Sequence, residues 1–215
     1  MKHASELIKD FESEQYNELL TDIYVDEHLL AYQNGRYIAA LQKFIKDFGD
    51  TEVSIFSAPG RSEVGGNHTD HQHGQVLAAS INLDAIAIVA KTSDDKIQVI
   101  SDGYDLITID ASDLSLVESE KETTTALIKG VAAGLKEHGH AVGGFKAYIT
   151  SDVLIGAGLS SSAAFETIIG TILSGLYNNG SVSAIEIAII GQYAENVYFG
   201  KPCGLMDQMA SSVGN

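Results

Sequence analysis

The feature that most constrains this chain is one change of pattern between Val153 and Leu176. The stretch VLIGAGLSSSAAFE runs from a strand-like end, through Gly156 and Gly158, into Ser160, Ser161 and Ser162. From Phe165 onward, Ile168, Ile169, Ile172, Leu173 and Leu176 recur at the 3.6-residue period of a buried helix. A helix that opens on serines after a glycine hinge presents backbone N–H groups without intrahelical partners. Its dipole favours an anion at the same end. Serine hydroxyls add donors, and a serine oxygen can bind Mg²⁺. No lysine follows the glycines, as a Walker-type loop requires. On these residues alone, a phosphate cradle and a plain serine N-cap after a glycine turn remain the two readings.

The rest of the pattern predicts an α+β fold, a mixed sheet with helices. The first fifty residues read as helical, with Leu30, Tyr37, Leu41, Phe44, Ile45 and Phe48 on one stripe and the Gln33-Asn34-Gly35 stretch expected to split it. TEVSIFSAPG predicts a strand ending in a Pro-Gly turn, and GQVLAASINLDAIAIVAKT predicts one or two strands. KIQVISDG and DLITIDAS alternate like a half-exposed antiparallel pair. TTALIKGVAAGLKEHG predicts a helix closing on His138-Gly139, GFKAYITSDV a strand, and SAIEIAIIGQYAENVYF a helix capped by Ser183. The expected division is a helical segment over 1–50 leading into a domain over 51–215. The chain stops at MDQMASSVGN, just after a polar motif, which suggests a piece of a longer protein.

Twenty-nine acids against 13 bases give a net charge of −16, which disfavours nucleic acid and anionic membranes as partners. A small anion held by N–H groups and a metal ion is still compatible. The single cysteine, Cys203, cannot build a disulfide framework, and the start has no apolar leader. The expected location is cytoplasmic.

Two further patches carry ionisable groups. SAPGRSEVGGNHTDHQHGQ places Arg61, then His68, Asp70, His71 and His73 within a short loop. That pattern suits either a metal site or hydrogen bonding to sugar hydroxyls. AENVYFGKPCGLMDQMAS places Asp207 near an expected helix start, where a carboxylate is stabilised by the dipole. Taken singly, Asp207 reads as a capping residue and Glu195 as a solvated helix charge.

Together, GAGLSSSAA, GRSEVGGNHTDH and CGLMDQ resemble the motifs of the GHMP kinases, and within them the galactokinases, in order and spacing over roughly residues 30 to 215. The resemblance implies an N-terminal domain like the second domain of ribosomal protein S5, with an uncommon left-handed β-α-β crossover. It implies that Gly156, Gly158, Leu159, Ser160, Ser161 and Ser162 cradle the phosphates of ATP. It puts Arg61 and Asp207 at the transferring phosphoryl group, and Asn67, His68, Asp70 and Gly204 at the sugar. Ser162 and Glu195 would hold Mg²⁺. The expected activity is that of a sugar 1-kinase acting on galactose, with another sugar substrate, a non-catalytic sugar sensor, and a metal-dependent hydrolase built on His68, Asp70, His71 and His73 as alternatives. A C-terminal kinase domain is expected to pack on this one, and the piece alone to be inactive. Two positions depart from the family: Asn67 stands for its glutamate and Glu63 for its asparagine. Thr124 and Leu127 replace aromatics that flank the adenine.

Overall fold

Residues 85–90 are apolar without a break, and strand alternation divides them between two cores. Ala85, Ala87 and Val89 enter one, and Ile86, Ile88 and Ala90 enter the other. The structure, a computed structural model, describes residues 2–154 and 156–214. Its strands are β1 (Lys2–His3), β2 (Glu52–Gly65), β3 (Leu77–Lys91), β4 (Lys96–Ser101), β5 (Ile107–Asp110) and β6 (Phe145–Ser151). They form one mixed sheet in the order β1-β2-β3-β6-β4-β5, in which β4 and β6 are parallel and the other pairs antiparallel. The α+β reading with a mixed sheet holds.

Helices cover both faces of this sheet. On one face lie α1 (Ala4–Glu12), α2 (Asn17–Tyr24) and α3 (Leu30–Phe48), burying Phe11, Leu20, Tyr37, Leu41 and Phe44 against Ile86, Ile88 and Tyr148. The other face is covered by α4 (Thr124–Glu137), α5 (Ser161–Tyr177) and α6 (Ala184–Tyr193), whose Ile128, Ile168, Ile172 and Ile190 meet Val99, Ala147 and Ile149. The last helix is α7 (Met206–Val213), which lies along β2 and β3; Ser211 Oγ donates to the Pro59 carbonyl at 2.6 Å. α3 is unbroken through Gln33-Asn34-Gly35. A glycine inside a helix costs about 1 kcal/mol, and each fully buried large side chain on the stripe returns about 1.5–3 kcal/mol. Tertiary packing therefore outweighs the local breaker.

The helical layer is also tied down by a buried charge. Asp84 on β3 accepts from Tyr24 Oη at 2.9 Å, from Ser57 Oγ and from Arg36 Nη1, and Arg36 Nη2 donates to the Asp84 carbonyl at 2.7 Å. The Arg36 and Asp84 side chains are 6% and 4% exposed. A charge this deep is stable only when paired and hydrogen-bonded, as it is here.

The expected Pro-Gly turn is absent, because β2 runs straight through Pro59 and Gly60 to Gly65. Proline cannot donate to the ladder, and the pairing with β3 shifts register between Pro59 and Arg61. Gly60 has a different use. A Cβ there would lie 2.9 Å from the Leu159 carbonyl oxygen and from a Val153 methyl. The serine loop crosses β2 at this point, and the Arg61 N–H donates to the Leu159 carbonyl at 3.1 Å.

Candidate active site

The serine loop ends on a strained residue. Ser160 has φ +57°, left-handed for a non-glycine side chain, and precedes the first turn of α5. It makes no capping hydrogen bond to α5. Its hydroxyl donates instead to Asp207 Oδ2. The first-turn N–H groups of a 17-residue helix are thus left facing the cavity. That cavity, about 460 Å³, is lined by the loop, Arg61, His68, Glu195 and Asp207.

Asp207 sits at the junction of three segments. Arg61 Nε donates to its Oδ1 at 2.7 Å, and Arg61 Nη1 donates to the Gly158 carbonyl at 2.6 Å. His68 Nε2 lies 3.4 Å from the same Oδ1. Burial alone would push the Asp207 carboxyl up, but the hydrogen bonds from Arg61 and Ser160 and the Arg61 charge outweigh it. The group is held below the usual carboxylate range and is ionised at neutral pH.

Glu195 is reached by an irregularity. After Tyr193, α6 widens into a π-helical segment, Ala194–Phe199, that buries Glu195. Such segments interrupt helices frequently at functional sites. Ser162 Oγ donates to Glu195 Oε1 at 3.3 Å, and Gln208 Nε2 donates to Glu195 Oε2 at 2.9 Å. The same Gln208 nitrogen donates to Glu166 Oε2 at 3.0 Å. Glu166 and Gln208 are fully buried. Burial, and then the Glu195 charge, pushes the Glu166 carboxyl well above the usual carboxylate range. Burial first, then Glu195, also raises the Cys203 thiol, so it is not a reactive thiolate.

The tip between β2 and β3 carries the loop from Gly66 to Val76. Asp70 leaves it to reach α7: its Oδ2 accepts from the Met206 N–H at 2.9 Å, capping the helix that carries Asp207. The other oxygen, Oδ1, is buried and has no protein partner. Gly204 makes this contact possible, since a Cβ there would lie 1.8 Å from Asp70 Oδ2. Asn67 is exposed at φ +56°, outside the cavity lining. His71 Nδ1 is paired with the His68 carbonyl at 2.9 Å. Among the described residues, no three His, Cys, Asp or Glu side chains converge as a metal centre requires. The hydrolase alternative therefore lacks a ligand set there.

Comparison with known proteins bears directly on this arrangement. Residues 42–91 match the galactokinase galactose-binding signature, and residues 126–215 match the GHMP kinases N terminal domain. Both matches point to the GHMP kinases, the second over the C-terminal 90 residues of the chain. It is 31% identical over 188 residues to the galactokinase of Clostridium tetani and 34% identical over 189 residues to that of Lactococcus lactis strain IL1403, covering 86% of this chain and 47% of each relative. Thus the chain spans about half the length of the curated relatives it matches. The crystal structure of Lactococcus lactis galactokinase complexed with galactose superposes with a TM-score of 0.76 at 33% identity, covering 83% of this chain and 47% of that one. The Methanococcus jannaschii mevalonate kinase shares the fold at 20% identity, with a TM-score of 0.64.

Arg61, His68, Ser160, Ser162, Glu195 and Asp207 converge on one cavity, as do Gly156, Gly158, Leu159, Ser161 and Gly204. Asp70 stands directly behind Gly204. Leu127, at the position of an expected adenine contact, is buried in the fold. Sequence reasoning missed Glu166 and Gln208. Glu166 falls amid the apolar period of α5, and an acid on a buried stripe is the signal that points to it.

Proposed function

We propose that the protein is a sugar 1-kinase, a galactokinase, that transfers the γ-phosphoryl group of ATP to the C1 hydroxyl of galactose. One observation carries this reading: a single ionised carboxylate, Asp207, is held between the serine loop, through Ser160, and the sugar-signature strand, through Arg61. Phosphoryl transfer asks for positioning and charge neutralisation more than covalent chemistry. The C1 oxygen bonds to the γ-phosphorus as the bond to the β,γ-bridging oxygen breaks. The hydroxyl proton passes to Asp207, and ADP leaves. Arg61 fixes the carboxylate and offsets negative charge developing beside it.

Ser162 Oγ and Glu195 Oε1, 3.3 Å apart, are hard oxygen donors and would hold Mg²⁺. When bound, the ion neutralises phosphate charge. Asp70 Oδ1, buried without a partner, suits a sugar hydroxyl as donor. The exchange of Glu63 and Asn67 fits the local backbone. Asn67 occupies a left-handed conformation that asparagine tolerates well, and Glu63 Oε1 accepts from the His68 N–H at 2.8 Å, so one acid remains at the loop base. ATP, galactose and a cytoplasmic setting belong to the same reading.

The test is a titration of isotope-labelled protein with galactose and with other hexoses, followed by a phosphorylation assay of the full-length protein with Mg-ATP. Shifts at Asp70, Gly204 and Met206 amides with galactose, and formation of galactose 1-phosphate, are the expected results. Unmoved amides with galactose, against clear shifts with another hexose, would reject the substrate.

A further inference from the structure

The serine loop contains no lysine, and the protein carries a net charge of −16. A polyanionic ligand is repelled at long range by such a chain and depends on local cations near the site. The described cavity lining includes two, Arg61 and Lys201. Arg61 is largely engaged: its Nε pairs with Asp207, its Nη1 with the Gly158 carbonyl, and it is 6% exposed. Lys201 differs in each respect. Its side chain is 65% exposed, and its Nζ lies 3.4 Å from Glu195 Oε1, longer than the roughly 2.7–2.9 Å of a close charge-assisted bond. Two lysines before it, Lys121 and Lys129, are closed in pairs with Glu118 at 2.9 Å and Glu120 at 2.7 Å.

The base of Lys201 is held while its head has one long contact, to Glu195. Gly200, at φ +86°, ends the π-helical segment, the Lys201 N–H donates to the Glu195 carbonyl at 3.1 Å, and Pro202 restrains the next step of the backbone. The ammonium and the Ser162 hydroxyl meet at one oxygen, Glu195 Oε1.

We infer that Lys201 supplies the phosphate-facing cation that the serine loop lacks, and that without nucleotide its ammonium stands in for the divalent cation beside Glu195. This rests on the kinase reading above. When an ion enters between Ser162 and Glu195, the ammonium is displaced, and the flexible four-carbon stem lets it pair with a phosphate oxygen of the arriving nucleotide.

The experiment measures, at fixed ionic strength, the affinity of the protein for Mg-ATP by calorimetry and for Mn²⁺ alone by electron paramagnetic resonance. Lys201→Met keeps the stem and removes the charge. It should weaken Mg-ATP binding by about tenfold to a hundredfold, the range for losing one hydrogen bond to a charged group, and tighten Mn²⁺ binding several-fold because Glu195 no longer shares its oxygen. Lys201→Arg should recover most of the nucleotide affinity. A merely structural role would not move the two affinities in opposite directions. Unchanged Mg-ATP affinity in Lys201→Met, or unchanged or weaker Mn²⁺ binding, overturns the inference and leaves the kinase reading standing. A wild-type protein that binds no Mg-ATP overturns both.

Discussion

Gly204→Ala tests how the loop from Gly66 to Val76 and the α7 helix are joined. The added Cβ would lie 1.8 Å from Asp70 Oδ2 and 2.3 Å from its Cγ. To reach ordinary van der Waals contact, the carboxylate must retreat by about 1.5 Å. The Met206 N–H bond to Oδ2, 2.9 Å long, cannot survive that movement. A hydrogen bond to a charged acceptor contributes about 1.5–3 kcal/mol, and an N-terminal cap about 1 kcal/mol on its own. The expected destabilisation is therefore about 2 kcal/mol, measured by urea unfolding at neutral pH. Asp70→Ala removes the cap and also the group that clashes, so the two substitutions share one mechanism. A double-mutant cycle should be strongly non-additive, with Gly204→Ala costing little in the Asp70→Ala background. Gly204→Ala within about 0.5 kcal/mol of wild type, the range of ordinary surface substitutions, would refute the reasoning. So would simple additivity in the cycle.

Three other outcomes are expected. Asp207→Asn keeps the shape of the carboxylate but cannot take the sugar proton, so turnover should fall by about 10²–10⁴ while galactose affinity changes little; near-normal ADP release would remove Asp207 as the base. Asp84→Ala leaves the buried Arg36 with Asp152 as its one remaining carboxylate, Oδ2 at 3.3 Å from Nη1, and should cost about 3 kcal/mol in denaturant unfolding, the lower end of the range for breaking a buried pair, with a loss below about 1 kcal/mol contradicting the role given to that pair. Glu166 has a folded-state pKa raised above its unfolded value, so the folded state binds the extra proton. Its contribution is full below the unfolded pKa and is lost as pH rises toward the folded one. Wild-type stability should thus fall with rising pH relative to Glu166→Gln, and parallel pH profiles for the two proteins would exclude a buried neutral acid at this position.

The sequence made some of this visible and hid the rest for identifiable reasons. α5 was readable because its apolar residues keep one period from Phe165 to Leu176, and the cap at Ser183 because a serine before an apolar run leaves a local trace. The Pro59-Gly60 pair misled. Its usual meaning is a turn, but here the glycine leaves room for the Leu159 carbonyl, a neighbour 99 positions away in sequence. The tie from Asp70 to Met206 and the bridge from Gln208 to Glu166 and Glu195 connect segments far apart, and no spacing rule encodes them. Asp84 looked like an ordinary strand residue because its partners, Tyr24, Arg36 and Ser57, come from three different elements.

The shared strand β3 has a consequence for how this fold can vary. Toward α4 and α5 it presents Ala85, Ala87 and Val89, and toward the N-terminal helices Ile86, Ile88 and Ala90. A one-residue insertion or deletion ahead of this segment would exchange the two sets at once. Isoleucines would be forced into space shaped for alanines, at about 1–3 kcal/mol for each overpacked site, while the opposite wall would be left with voids. Length changes are therefore confined to the loops at either end of the strand, and the strand itself acts as a fixed ruler between its two neighbours.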